Sequence, residues 1–189
     1  MPIRPFNGDT FVGFIDIAGF KGMMADGDRG PLALDALYSA GYNVLRERHQ
    51  DALQVDGMFV SDCGILFVHN SDRTPLERLS GLCLVVKDIH TRVFRKAVQL
   101  TTSIAWGEFA YTERIEFPGI GKNAILGNAY MDAFADSEAT PKLYPGECRI
   151  RRGNLPTDVN DSLHERRGNI GMYCRETRKH FYYEWMREP

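Results

Sequence analysis

No run of this sequence reaches the roughly 20 uncharged apolar residues that a membrane span requires. Its opening, Met1-Pro2-Ile3-Arg4-Pro5, holds no apolar stretch of the kind that directs export. The expectation is a cytoplasmic protein with no membrane partner. Cysteine is sparse and dispersed: Cys63, Cys83, Cys148 and Cys174 form no Cys-x-x-Cys pair, which argues against a zinc site and a secreted disulfide framework. His49, His69, His90, His164 and His180 are equally scattered, without ligand spacing. The net charge is only −2, against a general nucleic-acid binder. Repeats and low-complexity tracts are absent. What remains is 189 residues, 43% hydrophobic, enough for one compact domain over 1–189 with a substantial core. The small net charge is unevenly spread, since residues 140–189 carry ten Lys/Arg against seven Asp/Glu. That cationic balance suits either a triphosphate or a solvated surface.

Two segments carry the chemistry. Phe11-Val12-Gly13-Phe14-Ile15-Asp16-Ile17 puts one carboxylate into an apolar strand, where burial is costly unless a partner or a metal compensates it. Gly57-Met58-Phe59-Val60-Ser61-Asp62-Cys63-Gly64-Ile65 puts a second between two strands. Asp62 alone reads as a turn residue, because Asp favours tight turns. Together the two suit divalent metal held at a nucleoside triphosphate.

The pattern predicts a strand over 10–17 and a helix after Gly30-Pro31, with Leu34, Leu37, Gly41, Val44 and Leu45 on one face. Strands follow over 53–60 and 63–69, with Asp62 at the hairpin tip. Thr74-Pro75-Leu76-Glu77 is a capping box opening a second helix. Residues 98–109 alternate as a strand, 121–139 read as a loop leading into a third helix, and 148–151 form a strand. A polar loop and a last strand over 180–186 complete the chain. The expected fold is α/β (α+β): a ferredoxin-like palm with a β-α-β-β-α-β core and extra carboxyl-terminal strands.

With Asp16-Ile17-Ala18-Gly19-Phe20, an aspartate at the next hairpin tip and this element order, the chain resembles the class III nucleotidyl cyclase catalytic domain. Ser103-Ile104-Ala105-Trp106-Gly107-Glu108, Gly127-Asn128-Ala129-Tyr130 and Tyr144-Pro145-Gly146-Glu147 extend the likeness over nearly the whole length. The resemblance implies two metal ions, Mn²⁺ or Mg²⁺, on Asp16, Asp62 and the carbonyl of Ile17. It implies a nucleotide site that includes Phe14, and a phosphate cradle of the amides of Ala18, Gly19 and Phe20. It also implies a homodimer whose sites are shared between protomers.

The sequence departs from the family in its base and transition-state groups. The two base-reading positions fall on Met58 and Ala124, neither of which reads a purine edge. The transition-state asparagine and arginine fall on Met131 and Ala135, which donate nothing to a developing negative charge. A register slid by one gives Asp132 and Asp136, acidic instead. Lys122, Arg149, Arg151 and Lys21 are candidate substitutes among which the sequence does not choose. Two accounts stand: a catalytically degenerate nucleotide-binding or interaction module, or a divergent enzyme. The favoured one is the second, similar to the bacterial Pycsar pyrimidine cyclases, which make cyclic UMP or cyclic CMP as an alarm signal in anti-phage defence. It implies UTP or CTP as substrate, with UTP preferred, and a separate effector that reads the product.

Other motifs read plainly. Asp26-Gly27-Asp28-Arg29-Gly30 resembles a calcium loop, but Leu37 stands where its last glutamate would be, so it is a surface turn. Asn128, Asp132 and Asp136 share a helical face expected to be a solvated stripe. Trp106, Trp185, Tyr182 and Tyr183 are expected to pack in the core or at a dimer face.

Overall fold

Alternating apolar residues make the first strand, β1 (Phe6–Ile17), the axis of the sheet. Phe11, Ile15 and Ile17 enter one core, while Val12 and Phe14 enter another on the opposite side. Asp16 has the parity of Val12 and Phe14. The computed structural model describes residues 3–49, 53–69, 73–117 and 120–187, with backbone only at 113–117 and 120–123.

After β1 come a short helix α1 (Phe20–Met24), α2 (Arg29–Glu47), the hairpin β2 (Val55–Val60) and β3 (Cys63–Val68), and α3 (Pro75–Phe94). A long hairpin follows, β4 (Leu100–Phe117) and β5 (Ile120–Leu126), then α4 (Asn128–Glu138) and β6 (Cys148–Arg151). The chain closes with α5 (Thr157–His164), α6 (Gly168–Gly171), β7 (Cys174–Glu176), β8 (His180–Tyr183) and a 3-10 turn (Trp185–Arg187). The eight strands form one sheet in the order β2-β3-β1-β4-β6-β8-β7, with β5 paired to β4. The α/β palm expected from the sequence is the fold observed.

The two faces of the sheet are covered differently. Helices α2 and α3 bury Ala33, Leu37, Ala40 and Val44 together with Leu79, Leu82, Val86, Ile89 and Val93 against one side. At about 1.5–3 kcal/mol for each large apolar side chain, this core dominates the stability. Its start is fixed locally: the Thr74 hydroxyl accepts the Glu77 amide at 3.3 Å, and the Glu77 carboxylate accepts the Thr74 amide at 2.9 Å. The other side is crossed by α4, whose Ala129 and Ala133 are small enough to let the helix sit close to Val12, Phe14 and Ala105. Gly127 admits the chain to that helix; it has φ +114°, and a Cβ there would lie 2.2 Å from the Glu108 carbonyl oxygen. On the helical side, the Phe59 ring fills the space that Cβ atoms at Gly41 and Gly64 would occupy, tying the β2–β3 hairpin to α2.

Several elements differ from the sequence expectation. Residues 120–126 are a strand instead of the start of a loop, and β4 runs on to Phe117, because the two pair as a projecting hairpin. The expected polar loop after β6 contains α5, amphipathic through Val159 and Leu163, and the short α6. The last strand stops at Tyr183, where Trp185 turns in and its indole donates to the Gly146 carbonyl at 2.7 Å. Among the described residues, no helix is long and apolar enough to cross a membrane.

Candidate active site

Asp16 is the penultimate residue of β1, paired across the ladders with Cys63 of β3 and Thr101 of β4. Asp62 lies in the β2–β3 turn beside Ser61, which turns the chain with φ 54°. The Ile17 amide donates to the Asp62 carbonyl at 3.0 Å, fastening the hairpin tip to the end of β1. Two carboxylates far apart in sequence are thereby held at one end of the sheet, on the α4 side.

The environment of Asp16 disfavours its charge. Burial raises the Asp16 pKa from its ordinary 3.8 to about 6, the charges of Asp62 and Glu138 push the same way, and Lys142 opposes them. The Cys63 thiol is likewise raised, by burial and then by the charges of Asp62 and Asp16. An ionised Asp16 is therefore costly without an additional cation. Two hard oxygen donors with surplus negative charge fit Mg²⁺ or Mn²⁺. Among the described residues no group of three or more His, Cys, Asp or Glu side chains gathers as a metal cage. Main-chain oxygen and water would complete the coordination, as is usual for Mg²⁺.

The remaining expected site residues are dispersed. Gly19 takes a left-handed conformation, φ 75°, and with Phe20 opens α1, where the first amides of a helix have no intrahelical acceptor. Ala18 departs from the expected cradle: its amide donates to the Gln99 carbonyl at 2.9 Å and is spent on holding the end of β1. Phe14 is 7% exposed and packs edge-on to Phe134 at 5.3 Å, so it supports the site from below instead of lining it. Met58 is half-buried on β2, two strands from Asp16. Ala124 pairs with Thr112, eleven residues along β4 from the partner of Asp16. At about 3.3 Å per residue that is roughly 35 Å, so Ala124 and Asp16 of one chain do not share a site.

The expectation that Asn128, Asp132 and Asp136 form a solvated stripe is corrected by Asp136, which is 8% exposed. Its carboxylate accepts Ser103 Oγ at 2.5 Å, Arg149 Nε at 2.7 Å and pairs with His180 Nε2 at 2.7 Å. Burial opposes its ionisation, but hydrogen bonds from His180 and Ser103 and the charges of His180 and Arg149 outweigh burial and take the pKa down to about 2. Arg149, 1% exposed, also donates to the carbonyls of Pro141, at 3.0 Å, and Asp136. It is therefore an architectural group. Asp132 in turn pairs with Arg151 and accepts Asn154 Nδ2 at 2.9 Å. Met131 and Ala135, at the positions that the resemblance assigns to the transition-state pair, are exposed on α4, Met131 with 57% of its surface free. The side chain of Lys122 lies outside the described residues, and Lys21 is exposed on α1.

Glu138, at the end of α4, and Lys142, four residues beyond it, act on Asp16 because α4 packs over β1, which spacing along the sequence does not reveal. The histidines are mostly structural: His90, buried in the core, contacts Thr102 Oγ1 at 2.7 Å and is held neutral, its pKa lowered by burial to about 3. His69 pairs with Asp56 at 2.5 Å.

No family model matches the sequence, and no curated protein matches it. The structure does have neighbours. The adenylyl cyclase CyaB from P. aeruginosa superposes with a TM-score of 0.66 at 13% identity, over 96% of this chain and 95% of that one. The guanylate cyclase domain of RhGC from Catenaria anguillulae, solved in complex with GTP, gives 0.64 at 10% identity, over 95% and 97%. A class III adenylyl cyclase-like ATP-binding protein from Pseudomonas aeruginosa gives 0.64 at 13% identity, over 98% of this chain and 40% of that one. The chain has the fold of a class III cyclase domain. Within that cyclase fold, the acidic pair sits where β1 ends, and α4 carries apolar residues at its outward positions.

Proposed function

We propose that the chain is a nucleotide cyclase, one domain over residues 1–189, that converts a pyrimidine nucleoside triphosphate, UTP first, to its 3′,5′-cyclic monophosphate and pyrophosphate. The observation that carries this reading is the pair Asp16 and Asp62, held together at the end of β1 with surplus negative charge in a cyclase fold. Two Mn²⁺ or Mg²⁺ ions, when bound, would lower the pKa of the ribose 3′-hydroxyl and neutralise the leaving phosphates. Asp16, Asp62 and the Ile17 carbonyl would hold them. The amides of Gly19 and Phe20 receive the phosphate chain. The 3′-oxygen attacks the α-phosphorus, the bond to the β-phosphate oxygen breaks, and the 3′-proton leaves to solvent.

The site is completed by a second copy. Ala124 lies too far along its own hairpin to meet its own Asp16, and Val60, Met131 and Phe134 leave 66, 57 and 40% of their surfaces exposed. A homodimer that covers them would bring one protomer's Ala124 to the other's acidic pair. Met58 and Ala124 form no charged hydrogen bonds to a base, which suits a small pyrimidine better than a purine. By its likeness to the Pycsar enzymes, the cytoplasmic product would signal infection to a separate effector, without nucleic acid or membrane.

A second reading, a nucleotide-binding module without turnover, is favoured by the apolar Met131 and Ala135, and the ATP-binding neighbour has the same fold. Incubation of the purified chain with each ribonucleoside triphosphate and Mn²⁺, with the cyclic products resolved by chromatography, separates the readings. Cyclic UMP is expected. Robust cyclic AMP or cyclic GMP refutes the pyrimidine preference, and metal-dependent binding without product establishes the module.

A further inference from the structure

The carboxylates at Asp132 and Asp136 stand one helical turn apart on α4, and each holds an arginine of β6: Asp132 pairs with Arg151 and Asp136 with Arg149. Alternation along β6 turns both arginines to the α4 side. Their situations differ. Arg149 is sealed, with Asp136 and two carbonyls consuming its donors. The Arg151 side chain keeps 36% of its surface, and Asp132 keeps 24%. Arg151 opens onto a cavity of about 740 Å³ whose lining includes Arg152, Arg178, Lys179 and His180, with Asp136 as the single acid among the described residues. Arg152 is engaged by Glu176 and Asn160. The partly exposed Arg151–Asp132 pair gives way to a phosphate more readily than the sealed Arg149–Asp136 pair, although the Nη1 atom that meets Asp132 is itself out of contact with solvent.

We propose that Arg151 supplies the cation that α4 lacks: it leaves Asp132 to contact the phosphate chain of a nucleotide bound at Asp16 and Asp62 of a second copy. This inference rests on the cyclase reading. The need for a second copy follows from the register. Asp16 pairs with Thr101, whereas Arg151 follows Ile150, which pairs with Ile104 two strands from β1. Two strand spacings and four residues of rise put Arg151 about 16 Å from Asp16, with α4 packed between them. With α4 in the way, Arg151 does not reach phosphates held at the Asp16 of its own chain. Asp132 thus becomes a holder that keeps Arg151 extended until the phosphates arrive, and the acids on α4 serve a cation instead of replacing one. A planar guanidinium also suits two phosphate oxygens at once, which lysine does not.

The test compares the full-length unmodified chain with Arg151→Ala and Arg151→Lys, using UTP and Mn²⁺, with thermal unfolding as a check on the fold. Arg151→Ala should lose at least about 100-fold in kcat with KM changed less than about threefold, and Arg151→Lys should recover part of it. Mixing Arg151→Ala with Asp16→Ala, each inactive alone, should restore about a quarter of the unmodified activity, because half of the dimers then hold one intact site. Undiminished kcat in a folded Arg151→Ala overturns the inference while leaving the cyclase reading in place, and so does a dimeric mixture that stays inactive. No product from the unmodified chain overturns both.

Discussion

Asp16 and Asp136 face the same side of the sheet, both are taken largely out of water, and burial pushes both pKa values upward. They end far apart. Around Asp136 the fold supplies Ser103, His180 and Arg149, and the carboxyl titrates near 2. Around Asp16 it supplies further negative charge from Asp62 and Glu138, and the carboxyl titrates near 6. Burial alone does not set the state of a carboxylate. The partners do: Asp136 is satisfied by its own chain, whereas at Asp16 the charge of Lys142 does not outweigh burial and the neighbouring acids.

The strongest attack on this contrast removes the carboxylates. Asp16→Ala, or Asp62→Ala, should lower Mn²⁺-dependent product formation by at least about 1,000-fold, roughly 4 kcal/mol of transition-state stabilisation. Without metal the same variants should unfold at an unchanged or higher temperature, because repulsion is relieved. Near-normal turnover in either one would remove that residue from the site.

At the other aspartate the effect should fall on the fold. Asp136→Ala leaves the Arg149 guanidinium buried without its carboxylate, at a cost of about 3–5 kcal/mol. For a chain of this length that lowers the melting temperature by about 10 °C, which calorimetry or a denaturant midpoint would register. A variant as stable as the unmodified protein would show that the buried Arg149 does not depend on Asp136.

A milder change alters the apolar surface on the α4 side of the hairpin. Met58 is half-buried on the α4 side, about 12 Å from Asp16 by strand spacing and rise. Met58→Lys places a charge among the apolar neighbours of residue 58 and costs the surrounding packing, so UTP turnover should fall about tenfold and ATP turnover rise by less. Steady-state rates with both triphosphates decide it, and a full switch to ATP would make residue 58 sufficient for base choice.

How much of this was legible beforehand follows from what is local. The β1 alternation, the Thr74–Glu77 capping box and the Asp62 hairpin are written in neighbouring residues, and they predicted the palm and brought Asp16 and Asp62 together. The pairing of Asp136 with Arg149 and of Asp132 with Arg151 depends on how α4 lies over β6, which spacing along α4 does not reveal; a helical stripe of polar residues looks the same whether water or arginine faces it. The engagement of Ala18 by Gln99 was hidden for a similar reason, since it needs the β1–β4 register. Helix α5 was missed because its apolar signal is only Val159 and Leu163 within a polar stretch.

The smallest effect tests the contrast through pH. Asp16 binds its proton more tightly in the folded chain than in the unfolded one, with a folded value of about 6 against an ordinary 3.8. Its contribution to stability is therefore fully present below about pH 4 and is lost as pH rises through 6. Asp136 has the opposite sign: its folded value of about 2 gives stability that is present above 3.8 and lost as pH falls toward 2. Without metal, the melting temperature of the unmodified chain should fall between pH 4.5 and 7 by about 2–4 °C more than that of Asp16→Asn, which has no proton to lose there. Mn²⁺ at pH 7 should restore the unmodified chain, because it binds the ionised carboxylate, and leave Asp16→Asn nearly unmoved. Parallel curves for the two proteins without metal would mean that Asp16 is already compensated within its own chain, and the distinction from Asp136 would collapse.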